Sequence, residues 1–424
     1  MTYQEAANFL SGLTETRIKP GLERISRALN VLEHPESEYP QIVIGGTNGK
    51  GSTAAFVSSI LEAAGYRTGL YTSPHLQNFQ ERIRAGGRPI SPEEFTSLVA
   101  DVGETGIDLS YFEFATAMAL LHFSHAGIDL AILEVGLGGR WDATNAVDPV
   151  LSVVTSIGMD HGDWLGETLE QVALEKMQIL RPGRPGILGK IPLEVQDAVY
   201  REAGSIGAPI RRLYEDFSLV PVKDKLIYTG PNWTIDGLEP GLRGPFQLDN
   251  AACAVAALES LGDTGFKISM DDVRKGLSDV QWPGRYHVVR ESPRLIVDSA
   301  HNPDAVAALA DALKGCKKPL VWLFSALKDK DISGMAELIK GVGGVVCLVE
   351  LGHPRAAPVH HLEEIFSGTG LEYFGERSVL SGLEKAISRA GAGGTVVVAG
   401  SVYLAGSVLG LLGQLPDIHK EDRV

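Results

Sequence analysis

The stretch Gly45-Gly46-Thr47-Asn48-Gly49-Lys50-Gly51-Ser52-Thr53 decides how this chain is read. It follows the apolar run Ile42–Ile44 and opens Ser52–Ala64, where Ala54, Val57, Ile60, Leu61 and Ala64 recur at helical spacing. A strand, a glycine-rich turn and an amphipathic helix in that order make a phosphate-binding loop. Glycines let backbone N–H groups wrap a phosphate, and the helix N-terminus adds partial positive charge. Lys50 supplies a point charge for the terminal phosphates. The pattern departs from the strict G-x-x-x-x-G-K-[ST] form: Ile44 stands at the first glycine position, and Gly51 separates the lysine from the hydroxyl residues.

Outward from the loop, short apolar runs alternate with helical stretches. Gly65 stops the first helix and Thr68–Tyr71 begins the next strand. Leu130–Val135 and Val150–Ile157 read as further strands, with a helical stretch around Thr168–Leu180. Runs that do not alternate strictly, set between helices, predict a mostly parallel sheet covered on both faces. Around Pro221–Leu242 the texture turns to short antiparallel strands, and an alanine-rich helix follows from Asn250 to Leu261. The turn signal Trp282-Pro283-Gly284-Arg285-Tyr286 places a boundary there, giving units 1–286 and 287–424. Beyond it, strands are expected at Leu295–Val297, Leu320–Phe324, Val345–Val349, Glu372–Phe374 and Thr395–Ala399. Helices are expected at Pro303–Lys314, near Ile332–Ile339, near Val379–Ala390 and after Tyr403. The fold class is α/β, with a smaller Rossmann-like second unit.

Composition narrows the function classes. With 424 residues, 44% hydrophobic and 21% charged, the chain has core material for two or three domains and is not a disordered tail. Acidic residues outnumber basic ones 53 to 38, a net charge of −15 that argues against nucleic acid and anionic membranes as partners. Cys253, Cys316 and Cys347 are too scattered for a disulfide framework or a CxxC metal site, so they read as small buried hydrophobes. MTYQEAANFL lacks the pattern of a secretory signal. Thr395–Leu412 is the longest apolar run, but its three glycines, two serines and tyrosine predict a buried strand and helix rather than a membrane span. A cytoplasmic monomer is expected.

Two further features sit where a phosphate site needs them. Glu134 closes a strand and leads into Gly136-Leu137-Gly138-Gly139-Arg140, and a carboxylate at a strand's carboxyl end can hold Mg²⁺. His161 follows the next strand within Gly158-Met159-Asp160-His161-Gly162.

Taken as an ordered set, these residues resemble the folylpolyglutamate synthase/dihydrofolate synthase family of the Mur ligase superfamily. The resemblance rests on Gly46–Thr53, Tyr71–Leu76, Glu134–Asn145, Ser156–His161, Gly244–Gln247 with Asn250, and Trp282–Tyr286. It continues through Asp298–Pro303, Asp329-Lys330-Asp331 and Gly400–Gly406, so it covers about Leu22 to Gly406. It implies a Mur-ligase-like P-loop ATPase domain followed by a glutamate ligase domain. The implied reaction joins L-glutamate to dihydropteroate and to tetrahydrofolate, with ATP first making an acyl phosphate.

Carried over residue by residue, the resemblance implies that Asn48, Gly49, Lys50, Gly51 and Ser52 hold the ATP phosphates. Asn250 would meet adenine, Arg285 the phosphates and Asp298 the ribose. Ser73, Glu134 and His161 would bind two Mg²⁺ ions. Lys176, in Glu175-Lys176-Met177-Gln178-Ile179, matches a lysine that family members carry carbamylated, although Met177-Gln178 departs from the family's Ala-Gly. His301 and Ser401 would lie towards the glutamate, with Lys50, Lys176 and His301 as the catalytic set. The pterin side would involve Lys19, Pro20, Gly21, Phe112, Glu113, Trp141, Asp142 and Ala143. Lys19 replaces a frequent acidic residue there, Trp141 is bulkier than the common aliphatic, and Ser299 replaces the usual glycine before Ala300.

Two other readings compete. A peptidoglycan-precursor ligase needs a nucleotide-sugar domain ahead of the loop, and the 45 residues before Gly46 are too few for one. A P-loop switch or motor ATPase would need no glutamate, and it leaves Asp298–Pro303 and Gly400–Gly406 without a task.

Overall fold

The computed structural model describes residues 1–13, 20–160 and 162–415. Two parallel sheets dominate it. The first holds β1 (Gln41–Gly45), β2 (Thr68–Tyr71), β3 (Ile83–Ala85), β4 (Arg88–Pro89), β5 (Leu130–Glu134), β6 (Leu151–Ser156), β7 (Gly186–Lys190) and β8 (Ile210–Arg212). Their order is β4-β3-β2-β5-β1-β6-β7-β8, with only the β2-β3 and β3-β4 pairs antiparallel. β1 lies between β5 and β6 and is buried along its whole length, as a central parallel strand should be. Helices Lys50–Ala63, Tyr111–Ala126 and Phe246–Ser260 are buried almost all round, consistent with their near-continuous apolar sequence.

In the chain between the two sheets comes a small antiparallel unit of β9 (Ser218–Val222), β10 (Lys225–Thr229) and β11 (Thr234–Leu238), which packs with the core of the first sheet. The second sheet comprises β12 (His287–Glu291), β13 (Arg294–Val297), β14 (Leu320–Phe324), β15 (Val345–Val349), β16 (Tyr373–Glu376) and β17 (Thr395–Ala399). Its order is β12-β13-β17-β14-β15-β16, parallel except for β12. Thr395–Leu412 is strand β17 followed by helix Val402–Leu411, both largely buried. Among the described residues no helix is long and apolar enough to cross a membrane. Cys253 and Cys347 are buried and Cys316 half-buried, all three as free thiols.

Several elements had no sequence expectation. β7, GILGK, carries two glycines, and β8, IRR, is a polar edge strand, so neither shows a strong apolar run. Helix Leu193–Ile206 shows Val195, Ala198, Val199 and Ala203 to the core but is polar elsewhere. The alanine-rich helix starts at Phe246, earlier than expected, because Gly244-Pro245 rather than Asn250 turns the chain.

Helix Met270–Asp279 crosses helix Lys50–Ala63 at backbone contact. A Cβ at Gly276 would lie 2.3 Å from the Ile60 Cα, while the Ser59 hydroxyl donates to the Gly276 carbonyl at 2.7 Å. Gly276→Ala is therefore expected to destabilise the fold by about 1–3 kcal/mol through overpacking. Thermal denaturation checks this, and an unchanged midpoint would contradict it.

Candidate functional site

The loop after β1 is tied to the end of β6. Thr47 N donates to the Ser156 carbonyl at 2.8 Å and Asn48 N to the Ser156 hydroxyl at 3.0 Å. The Thr155 hydroxyl donates to the Asn48 carbonyl at 2.7 Å, and Thr47 exchanges hydrogen bonds with the backbone of Gly158. Gly46 (φ 135°) and Gly49 (φ 86°) take conformations that side chains resist, and a Cβ at either would lie 2.2 Å from a neighbouring oxygen. The loop is thus held in one shape, ready to receive phosphate oxygens at the head of helix Lys50–Ala63.

Lys50 folds back over this loop, its Nζ donating to the carbonyls of Gly46 and Thr47 at 3.0 Å each. Glu134 ends β5 beside Ile44 of β1 and accepts from Ser73 N at 3.1 Å. Burial lowers the Lys50 pKa and raises that of Glu134, each opposed by the other's charge. Lys176 comes from helix Leu169–Met177 and is 4% exposed, its Nζ donating to the Gly46 carbonyl at 3.2 Å. Burial, with a smaller contribution from the charge of Lys50, brings its pKa down to about 7. His161 and Lys19 lie outside the described residues. Among the described residues no group of three or more His, Cys, Asp or Glu could hold a metal ion.

The residues expected on the pterin side divide. A Cβ at Gly136 would meet Asp142 Oδ2 at 3.3 Å, the Ser73 hydroxyl at 3.6 Å and the Phe112 ring at 3.7 Å, so these three converge. Asp142 is rigidly held, accepting from the backbone N–H groups of Gly136, Leu137 and Thr144 at 2.9–3.0 Å. Ala143 is buried behind it, whereas Trp141 is 53% exposed. Glu113 is already engaged: it caps helix Tyr111–Ala126 through Ser110 N and pairs with Arg24 at 3.1 Å. Pro20 is exposed, and Gly21 (φ 113°) turns the chain into helix Glu23–Val31.

The second sheet brings its carboxyl-end loops to the same place, where parallel sheets take ligands. Asn250 and Gln247 hydrogen-bond to each other, and Gln247 reaches the Ser52 hydroxyl at 3.3 Å. Asp298 is buried after β13, its oxygens accepting from Tyr286 N and Ala300 N at 2.7 Å each. Burial raises its pKa against the opposing charge of Arg285, which also acts on Lys50 and Glu134. His301 Nδ1 bonds the Ser299 carbonyl at 2.8 Å, which puts the ring proton on Nδ1. Burial, aided by the Lys330 charge, lowers its pKa to about 4, so the ring is neutral at neutral pH. Ser401 is buried and caps helix Val402–Leu411 through Tyr403 N.

Three residues in contact with this cluster carry no role in the sequence reading. Asp160, Asn302 and Lys330 meet across the junction, Lys330 Nζ standing 2.7 Å from Asp160 Oδ1. Each lies inside a motif that the resemblance uses, which was the available signal. A second seam runs beside it. Gln77 donates to the Gly406 carbonyl at 3.2 Å, and a Cβ at 406 would lie 2.0 Å from the Leu76 carbonyl oxygen.

Comparison with known proteins gives the cluster its context. Residues 44–188 match the Mur ligase middle domain, and residues 284–402 match the Mur ligase glutamate ligase domain. The dihydrofolate synthase/folylpolyglutamate synthase of Bacillus subtilis is 33% identical over 96% of this chain and 98% of that protein. Escherichia coli FolC in complex with DHPP and ADP superposes with a TM-score of 0.90 at 34% identity, covering 97% of this chain and 98% of that one. A bifunctional folylpolyglutamate synthase/dihydrofolate synthase with Mn, AMPPNP and L-glutamate bound superposes with a TM-score of 0.87 at 33% identity, covering 96% and 98%. With relatives this similar over nearly its whole length, and with both Mur ligase domains in sequence, the chain belongs to the dihydrofolate synthase/folylpolyglutamate synthase family of Mur ligases.

Proposed function

We propose that this protein is an ATP-dependent ligase that joins L-glutamate to dihydropteroate and to tetrahydrofolate through an acyl phosphate. The observation that carries the reading is the junction itself. A preformed phosphate loop with half-buried Lys50 and buried Glu134 and Lys176 faces His301 and Asp298 from a second parallel sheet. A pterin carboxylate oxygen attacks the γ-phosphorus of ATP, and the bond to ADP breaks. The amine of glutamate then attacks the acyl carbon, a proton leaves the nitrogen and phosphate departs.

The residues have distinct tasks in this scheme. Asn48, Gly49, Gly51 and Ser52 present backbone N–H groups to the phosphates while Lys50 neutralises their charge. Asn250, Arg285 and Asp298 take the adenine, phosphates and ribose. Phe112, Asp142 and Ala143 receive the pterin, with Trp141 at its rim. His301, neutral and carrying its lone pair on Nε2, orients the incoming amine, and Ser401 lies on the same side. The carboxylate of Glu134 and the hydroxyl of Ser73 are hard oxygen donors of the kind magnesium takes, and His161 and a carbamylated Lys176 complete our proposed set for two ions. Mg²⁺ would supply charge neutralisation between the phosphates. We assign residues 1–286 to the ATP-binding domain that also takes the pterin, residues 287–424 to the glutamate ligase domain, which lends Asp298 to the ribose, and the working form to a cytoplasmic monomer.

Arg285→Ala is expected to lower turnover by about 10²-fold with the unliganded fold intact by circular dichroism, since one cation at the developing phosphate charge is lost. Unchanged kinetics would mean that ATP does not lie at the junction. The reading as a whole is tested by ADP release with Mg²⁺-ATP and each pterin, with and without L-glutamate, products being read by mass spectrometry. Glutamate-dependent turnover with both pterins supports it, turnover with one restricts it, and turnover indifferent to both substrates favours a switch ATPase.

A further inference from the structure

The two sheets meet through a small polar clasp. From the first come Asn48 of the phosphate loop and Asp160 of the segment after β6. From the second come Asn302, which caps helix Pro303–Ala312, and Lys330 of the segment after β14. The side-chain amides of Asn48 and Asn302 donate to each other at 3.3 and 3.1 Å. Asn302 also donates to Asp160 Oδ2 at 3.2 Å, and Lys330 to Asp160 Oδ1 at 2.7 Å. His301 Nε2 stands 3.9 Å from the same carboxylate. The side chains of Lys330 and Asp160 are only 7% and 10% exposed.

We infer that the Asp160–Lys330 pair is a positioning device that seats the glutamate side of the second domain against the phosphate loop, so that the acyl phosphate meets an amine rather than water. The inference rests on the ligase reading above. A surface ion pair contributes little, but this one is nearly dry, and removing either partner takes the nearest opposite charge away from a buried one. The pair holds the backbone that carries His301 and Asn302 in register with Asn48, and a displacement of about 1 Å between reacting groups costs on the order of 10²-fold. Phosphoryl transfer draws on Lys50 and Glu134 of the first domain, with Asp298 of the second domain only at the distant ribose, so it depends less on this seating than amide formation does. When seating fails, water attacks the acyl phosphate, giving back the carboxylate and inorganic phosphate. The net reaction is then ATP hydrolysis.

The test compares ADP released with amide bonds formed, for wild type, Asp160→Asn, Lys330→Met, the double variant and Lys330→Arg. Asp160→Asn and Lys330→Met are expected to form product about 10²-fold more slowly while ADP release falls far less, so that more than one ADP appears per amide bond. The double variant should be no worse than either single one, because both remove the same contact. Lys330→Arg, which keeps the charge, should restore a ratio near one. Equal loss of ADP and product in folded variants would overturn the inference, and so would a ratio of one throughout. Uncoupling by Asp160→Asn alone would overturn it too, since that change also neighbours His161. If Asp160→Asn does not fold, the two Lys330 variants decide. A wild type whose ADP release ignores glutamate would instead refute the ligase reading itself.

Discussion

Lys50→Ala is expected to lower pterin- and glutamate-dependent ADP release by at least about 10²–10³-fold while leaving the far-UV circular dichroism unchanged. The magnitude follows from where the ammonium stands. Its Nζ lies over the loop, held by the Gly46 and Thr47 carbonyls, at the head of helix Lys50–Ala63. In this half-buried position the charge acts on the transferring phosphoryl group with less screening than in bulk water. Alanine removes that charge but touches no packed core, because the loop's shape is fixed by Thr47, Thr155 and Ser156 rather than by the lysine. Near-normal turnover would rule out this loop as the ATP site.

The second large effect is expected at Lys176. A buried amine with a pKa of about 7 is half neutral at neutral pH, and only the neutral amine adds carbon dioxide to become a carbamate. The sign follows: carbamylation is favoured above about pH 7 and is lost as the pH falls through that value and the amine takes up a proton. Turnover should therefore drop on acidification through this range and recover in part with added bicarbonate. His301, whose pKa lies at about 4, does not titrate there, so a break near 7 is not its signature. Lys176→Ala should cost about 10²-fold or more in turnover, since in the proposed scheme the carbamate formed on it is a metal-binding anion at the phosphate site. Carbon-13 NMR of protein equilibrated with labelled bicarbonate would detect the carbamate carbon directly. No carbamate signal, together with a flat pH profile across this range, would dismiss the modification.

Much of this was legible from residues alone, for physical reasons. The strands Leu320–Phe324, Val345–Val349 and Thr395–Ala399 announce themselves because a central parallel strand is apolar on both faces. β7 and β8 did not, since glycines and an exposed edge dilute that signal. At the site, the tight turn through Gly46 and Gly49 was readable because a strand that leads straight into a helix needs residues free to take positive φ. Glu113 illustrates the converse. The resemblance implied a pterin-side role for it, while the Ser-x-x-Glu capping box with Ser110, three residues upstream, engages its carboxylate at the helix start. Asp160 and Lys330 lie 170 residues apart, and no local pattern foretells a pairing that only the meeting of two sheets creates.

The seam between Leu76-Gln77 and helix Val402–Leu411 has a practical corollary. At Gly406 main chain approaches main chain so closely that a Cβ would lie 2.0 Å from the Leu76 carbonyl oxygen, and Gln77 hydrogen-bonds the carbonyl of that glycine. Such a joint reads the shape of the backbone and ignores most of the side-chain alphabet. Chimeras that graft the carboxyl-terminal half of one relative onto the amino-terminal half of another should therefore assemble wherever a glycine is kept at that position. Such hybrids offer a route to asking which half dictates the choice of pterin.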